Sequence, residues 1–395
     1  MNLANLRAKS QIIKLIRRWF DERDFVEMHT PRMVGLPGQE PFLEPFWTTV
    51  VAPNVNREVS AQCDAAARTV EHVLNANPQR EVACADAEQG SYPAALITSP
   101  EYLMKRLLAA GMEKIYDLGP CFRNNEPWDG SHDPEFLLLE WYRRDAELED
   151  LMRDTEAMMK WVAGECMVGA HRCVRPTGTK PSNEISEGQT HRSAPTWINQ
   201  PFRRLTVEDA WREYAGIELA PLLGDREAMA KVCHEKNQTV TESDSWDDLY
   251  YKIFLSLVEP KICGAGTSPA TSYQLPATFL YRYPASQAAL ARLSKDDSRW
   301  ADRVELYAGG LELANGFAEL SDEKIQRERF EEERELRKNI GKPTWNLDER
   351  FLTSLPKMGN AAGIAFGVDR FVMVLLGASS INDVIPSSAR ERFAD

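Results

Sequence analysis

Two adjacent glycines, Gly309-Gly310, separate two apolar-rich runs, Val304–Tyr307 and Leu311–Ala314. A two-residue glycine turn suits a tight β-hairpin, because both central positions need a positive φ. The pairing it predicts sets residue 307 against 312 and 305 against 314. Helical periods lie on either side. Residues 6–20 put Leu6, Ile12, Ile13, Leu15, Ile16, Trp19 and Phe20 on one stripe, opposite Lys14, Arg17 and Arg18. Ser99-Pro100-Glu101 reads as a capped helix start for 99–111. Further helices are predicted over 147–163, 206–215, 225–237, 246–258, 321–338 and 369–376, with Glu323–Arg327 and Glu333–Arg337 as i,i+4 pairs. Extended segments are predicted over 25–30, ended by Pro31, and over 134–144 and 361–367. Long helices interleaved with antiparallel hairpin signals give an α+β fold.

Residues 52–93 show no clear apolar period apart from one short helix expected over 60–74, and residues 165–205 are rich in turn formers. Both read as insertions into one domain spanning 1–395, because chemistry-bearing residues stand on both sides of each. A Gly/Ser/Pro/Thr loop is expected at 264–276. The chain has 47 basic and 60 acidic residues, a formal charge of −13, which argues against a general nucleic-acid binder. Its 7 scattered cysteines contain no C-x-x-C pair, which argues against a disulfide framework and a zinc site. No apolar run reaches the ~18 residues of a membrane span, and the start MNLANLRAKSQIIKLIRRWF has no signal-peptide stretch, so a cytoplasmic protein is expected.

Three constellations carry chemistry. In the first, Arg123-Asn124-Asn125-Glu126 precedes His132-Asp133-Pro134-Glu135-Phe136, and alternation puts Phe136, Leu138, Glu140 and Tyr142 on one strand face. An aromatic, a carboxylate and a phenol in line suit a site that stacks a flat ring at one end and holds an ammonium at the other. Arg123 could grip a phosphate or carboxylate with its planar fork. A half-buried strand salt-bridged to Arg123 would show the same pattern. In the second, Glu305 and Glu312 share a hairpin face as diagonal neighbours, a costly pairing unless a divalent cation or cationic ligand lies between them. Glu319 stands seven residues after Glu312, so it reaches that face only if the strand bends at Asn315-Gly316. A solvated acidic edge is the alternative. The third is Gly363-Ile-Ala365-Phe-Gly367-Val-Asp369-Arg370, where glycines permit close ligand approach and Arg370 opens an apolar helix.

Taken in order, these segments resemble the three signature motifs of the class II aminoacyl-tRNA synthetases, lysyl branch. The N-terminal helix and the stretch up to Pro31 resemble motif 1, a dimer-interface element; Arg123–Tyr142 resembles motif 2, and Gly363–Arg370 resembles motif 3. Thr98–Leu107 and Glu312-Leu-Ala-Asn-Gly-Phe-x-Glu319-Leu add to the likeness. The resemblance implies an antiparallel sheet flanked by helices, a homodimer, and activation of an amino acid by ATP with Mg²⁺. Arg123 would hold the α-phosphate and the substrate carboxyl oxygen, Glu126 would read the adenine edge, His132 would meet the distal phosphates, and Phe136 would stack under adenine. Arg370 would cover the other face of adenine. ATP contacts would also come from Asn124, Asn125, Asp133, Glu312, Leu313 and Gly367, and Mg²⁺ would bind Glu305 and Glu312. Glu101 would bind the backbone-type amine. Tyr142 and Glu319, helped by Glu140, would bind the side-chain ammonium, with Ser99, Asn315 and Ala365 also lining the substrate. Two positions depart from the pattern. Arg123 and His132 are nine positions apart where the family has eight, with Asn125 as the extra residue, and Asp133 stands where the family has Asn.

Within the branch, motif 1 begins inside the first ten residues, with no room for the anticodon-binding barrel of lysyl-tRNA synthetases. The chain resembles the short paralogues that join (R)-β-lysine to elongation factor P, modifying a protein lysine instead of tRNA. Ala365 in place of Gly, Tyr283-Pro-Ala-Ser-Gln287 and Glu312-Leu-Ala-Asn-Gly all match that group. The resemblance thus implies lysine or (R)-β-lysine as substrate and elongation factor P as acceptor. A lysine–tRNA ligase lacking its anticodon domain and a non-catalytic regulator are the other two readings. The intact Arg123, Glu305, Glu312, Glu319 and Arg370 argue against the last.

Overall fold

The computed structural model describes residues 2–51, 91–168, 199–264 and 275–394. Its helices of eight residues or more are α1 (Leu3–Asp21), α2 (Glu101–Ala109), α3 (Leu148–Val168), α4 (Arg226–Glu235), α5 (Trp246–Ile253), α6 (Glu323–Asn339) and α7 (Val368–Leu376). Its strands are β1 (Val26–Met28), β2 (Met33–Val34), β3 (Trp47–Val51), β4 (Ser91–Leu96), β5 (Lys114–Phe122), β6 (Glu135–Arg144), β7 (Arg203–Thr206), β8 (Thr278–Pro284), β9 (Trp300–Ala308), β10 (Leu311–Ala318) and β11 (Ala361–Gly367). The chain forms two compact units. One comprises Met1–Phe25, Ala146–Glu319 and Ala362–Asp395, and the other Val26–Asp145 and Leu320–Ala361.

The first unit is built on the strand order β11-β10-β9-β8-β7, antiparallel except for the β7–β8 pair. The glycine turn forms as expected, with φ of 61° at Gly309 and 86° at Gly310. Residue 312 does face 307, but a bulge between Glu312 and Ala314 sets Glu305 against Asn315, not against residue 314. The extra residue resets the alternation, so Asn315, Phe317 and Glu319 return to the face that carries Glu305. The bend expected at Asn315-Gly316 is therefore not what turns Glu319; the bulge one turn earlier does it. Asn2 caps α1 by accepting the Asn5 N–H at 3.2 Å, and Ile12, Ile16, Trp19 and Phe20 are buried on the predicted stripe, which faces α3. The helices expected over 206–215 and 246–258 each end in a π-helical turn, Trp211–Ala215 and Phe254–Val258. These turns pack with Tyr250 in a second core that also takes Tyr283 and Tyr307 from the sheet.

The second unit pairs β5 with β1 in parallel and with β6 antiparallel, the latter setting Asp117 against Glu140. β2, β4 and β3 form a separate small antiparallel sheet. Residues 91–93, expected inside the first insertion, belong to β4, and the rest of 52–93 lies outside the described residues, as do most of 165–205 and of the 264–276 loop. α2 starts one residue later than its capping serine predicted. Pro100 is the N-cap and makes no side-chain bond, while the Ser99 Oγ accepts the Glu101 N–H at 3.0 Å. On α6, Glu323–Arg327 forms at 3.1 Å. Arg337 turns inward instead of pairing with Glu333: it reaches Glu44 at 3.1 Å and donates to the carbonyls of Glu40, Leu43 and Pro343.

Candidate functional site

The second unit gathers the first constellation. Glu140 is 1% exposed on β6. Its two oxygens accept from the Ser99 Oγ at 2.7 Å and from the Tyr142 hydroxyl at 2.8 Å. Burial, then the nearby Glu101, pushes the Glu140 carboxyl up to about 8, against the pull of its two hydroxyl donors. Glu101, in the first turn of α2, meets Lys105 at 2.6 Å. Lys105 is itself fully buried and had no place in the sequence reading. Its i,i+4 spacing from Glu101 was the available signal. Ser99 and Glu101 also line a cavity of about 840 Å³ bounded by Glu40, Arg106, Arg334 and Asp348.

Arg123 leaves β5, and its N–H reaches the Pro134 carbonyl at 3.0 Å. Its guanidinium lies 5.0 Å from the Phe136 ring centre, and its Nε is buried with no hydrogen-bond partner. A buried guanidinium N–H without an acceptor is costly unless water or a ligand group meets it. Asn125 takes φ of 60°, the left-handed conformation that Asn tolerates, in a turn of this loop. Asn124 and Asn125 are exposed. His132 is held through Nδ1 by Ser131 at 2.8 Å and Asp129 at 3.2 Å, which leaves Nε2 facing Glu126 at 3.8 Å. Asp133 is buried and accepts the Glu135 N–H at 3.1 Å, so this carboxylate supports the start of β6.

The first unit gathers the other two constellations. Glu305 is buried, with Oε1 accepting from Arg303 at 2.6 Å and Oε2 from the hydroxyls of Tyr283 at 2.5 Å and Tyr307 at 2.7 Å. Burial, then Glu305, pushes both phenols well above the usual tyrosine range, so they stay protonated donors. Burial pushes the Cys263 thiol up to about 12, and Glu259, Glu312 and Glu305 add to it in that order. Glu305 and Glu312 therefore act on one neighbourhood. They are hard oxygen donors, and among the described residues no group of three His, Cys, Asp or Glu side chains forms a metal cage. Carboxylate oxygens are the donors Mg²⁺ takes, one or two at a time beside substrate phosphates, and both Glu305 oxygens are already met by Arg303, Tyr283 and Tyr307. Arg370 is half-buried and donates to the Glu312 carbonyl at 3.1 Å. Leu313 is buried. Ala365 and Gly367 are half-buried on β11, Ala365 opposite Asn315. Glu319 is buried at the end of β10. Arg303 was missed by the sequence reading, although it stands two residues before Glu305 on the same face.

The family profile of tRNA synthetases class II (D, K and N) matches residues 72–389. The chain belongs to this family. It is 34% identical over 388 residues to an elongation factor P–(R)-β-lysine ligase of Proteus mirabilis, covering 97% of this chain and 94% of that protein. A ligase of the same name from Photorhabdus laumondii is 33% identical over 390 residues, covering 98% of this chain and 95% of that protein. Another from Sodalis glossinidius is 32% identical over 386 residues, covering 97% and 94%. A class II synthetase catalytic domain accounts for the antiparallel strands flanked by helices, and it makes this chain an ATP-dependent ligase of the aminoacyl-adenylate-forming kind. Among the described residues no helix is long and apolar enough to cross a membrane.

Proposed function

We propose that this chain uses ATP to activate lysine or (R)-β-lysine and transfers it to a lysine side chain of elongation factor P. Likeness along 97% of the chain to ligases of that name carries the reading. In the first step an oxygen of the amino-acid carboxylate attacks the α-phosphorus and pyrophosphate leaves. In the second, the acceptor amine attacks the activated carbonyl carbon, an amide forms and AMP leaves. Charge grows on phosphate oxygens in the first step, and preorganised cations stabilise it without a protein nucleophile.

In the second unit, Arg123 would hold the α-phosphate and the carboxyl oxygen. Phe136 would stack under adenine, Glu126 would read its edge and His132 would meet the distal phosphates. Glu101 would take the amine nearest the carboxylate. Glu140 and Tyr142, ordered by Ser99, would take the distal ammonium. Its arrival would favour the ionised form of Glu140 and release a proton at neutral pH. In the first unit, Glu305 and Glu312 would hold Mg²⁺, which shields phosphate charge when bound. Arg370 would cover adenine, Glu319 would add a carboxylate for the ammonium, and Ala365 would shape the amine end of the pocket. The exposed Asn124 and Asn125 would border the nucleotide, and Asn315 the amino acid. A cytoplasmic homodimer joined through α1 and β1 fits this reading. Sedimentation showing only monomer at micromolar concentration would remove the dimer.

The test is the intact mass of elongation factor P after incubation with the protein, ATP and each lysine isomer. A mass gain of one residue supports the proposal. ATP–pyrophosphate exchange with transfer to tRNA and none to elongation factor P would assign the chain to tRNA charging instead.

A further inference from the structure

Arg303 holds more partners than any role above gives it. From β9 its Nη2 donates to Glu305 Oε1 at 2.6 Å, its Nε to Asn315 Oδ1 at 3.2 Å and its Nη1 to the Gln287 carbonyl at 2.9 Å. Its guanidinium also lies 4.5 Å from the Tyr283 ring centre. The side chain is only 13% exposed. The bulge at Glu312/Ala314 makes this possible, because it brings Asn315 opposite Glu305 and Phe317 opposite Arg303. A guanidinium has five N–H donors and no acceptor. The amide of Asn315 must therefore turn its oxygen to Arg303, which leaves its NH₂ directed away from that partner.

We infer that Arg303 is a positioning residue that fixes the Glu305 carboxylate and the flip of the Asn315 amide together, so that Asn315 presents a donor to an oxygen of the bound amino acid. Tyr283 and Gln287 brace the guanidinium from the segment Tyr283–Gln287, tying that segment to the Glu305 face. Lysine could not replace it. An ammonium keeps the charge but lacks the planar fork that meets Glu305 and Asn315 at fixed angles. The inference rests on the adenylating activity proposed above.

The experiment is ATP–pyrophosphate exchange on wild type, Arg303→Lys, Asn315→Ala and the double variant, with KM measured separately for amino acid and ATP. Wild-type exchange establishes the activity itself; its absence sinks the proposed function whatever the variants do. Given that exchange, Arg303→Lys should raise KM for the amino acid about tenfold through Asn315, lower kcat through the loosened Glu305 and keep the melting temperature within a few degrees. The double variant should be no worse in amino-acid KM than Asn315→Ala alone, because Arg303 acts there through Asn315. Additive effects, or an Arg303→Lys enzyme with wild-type amino-acid KM, would overturn the inference. Should Arg303→Lys fold poorly, Tyr283→Phe provides the second arm. It removes one donor to Glu305 and leaves Asn315 bound, so it should lower kcat without raising the amino-acid KM, and the reverse pattern would count against the inference.

Discussion

Replacing Glu140 with glutamine should change how stability depends on pH while leaving the side-chain shape intact. Wild-type Glu140 is buried, and its carboxyl is held at about 8 by burial and by Glu101. Each unit of pKa corresponds to about 1.36 kcal/mol, so ionising this group in the folded state, against an unfolded value near 4.3, costs on the order of 5 kcal/mol. The folded pKa is the higher one. The contribution is therefore fully present below about pH 4.3 and declines until the folded group ionises near pH 8. Glutamine does not titrate, and its amide can still meet the Ser99 Oγ and the Tyr142 hydroxyl. Urea unfolding of both proteins at pH 5.5, 7 and 8.5 should show Glu140→Gln gaining on wild type by a few kcal/mol across that range. Glu333, also held at about 8 by burial first, titrates in both proteins and cancels in the difference. Parallel stability profiles would mean that Glu140 is not an uncompensated buried carboxyl, and the argument for proton release on ammonium binding would go with it.

Arg123→Ala should lower adenylation by at least 10²–10³-fold, as expected for loss of a charge-assisted contact that tightens in the transition state, with the fold retained by circular dichroism. Exchange near the wild-type rate would remove Arg123 from the chemistry. Ala365→Gly should raise use of α-lysine relative to β-lysine, and one methyl group in a pocket is worth roughly 10–200-fold in specificity; the ratio of kcat/KM for the two isomers reads this directly, and an unchanged ratio argues that Ala365 does not set the preference. Gly316→Ala should destabilise by about 1–3 kcal/mol in urea unfolding, because its methyl would come within 2.9 Å of the Ile364 side chain and 3.1 Å of the Gly363 carbonyl.

The hairpin, the strand over Glu140 and the stripe on α1 were legible because short-range rules decide them: a glycine pair for the turn, alternation for the strand, a 3.6-residue period for the helix. What stayed hidden depends on distant packing. The bulge beside Leu313 has no mark in composition, since Leu-Ala-Asn reads as ordinary strand. The π-helical turns at Trp211–Ala215 and Phe254–Val258 keep the apolar pattern of an α-helix and differ only in how they pack around Tyr250. Arg337 read as a surface partner for Glu333 because i,i+4 spacing suggests it, but four backbone and side-chain acceptors from elsewhere in the unit draw it inside. The candidate residues followed the same division. Glu140, Tyr142 and Glu305 fell where alternation put them, whereas Lys105 and Arg303 became visible only once their partners were in place.

The bulge between Glu312 and Ala314 gives this hairpin a parity rule. Odd-numbered residues point to the candidate face from 303 to 307, an even one does so at 312, and odd ones again from 315 onward. Removing Leu313, the extra residue, would close the bulge and leave Glu312, Asn315, Phe317 and Glu319 on the face they now share, whereas pairing the strand without the bulge while Leu313 stays would present Ala314, Gly316 and Ala318 there instead. Loss of one residue at the bulge is thus absorbed, while loss of one from the regular ladder beyond Asn315 would turn every later side chain of β10 to the other face. An insertion of many residues into a surface loop would leave every side chain on β10 pointing as before. In this protein the tolerance of a position to gain or loss depends less on how many residues change than on whether the ladder there has a spare residue to give up.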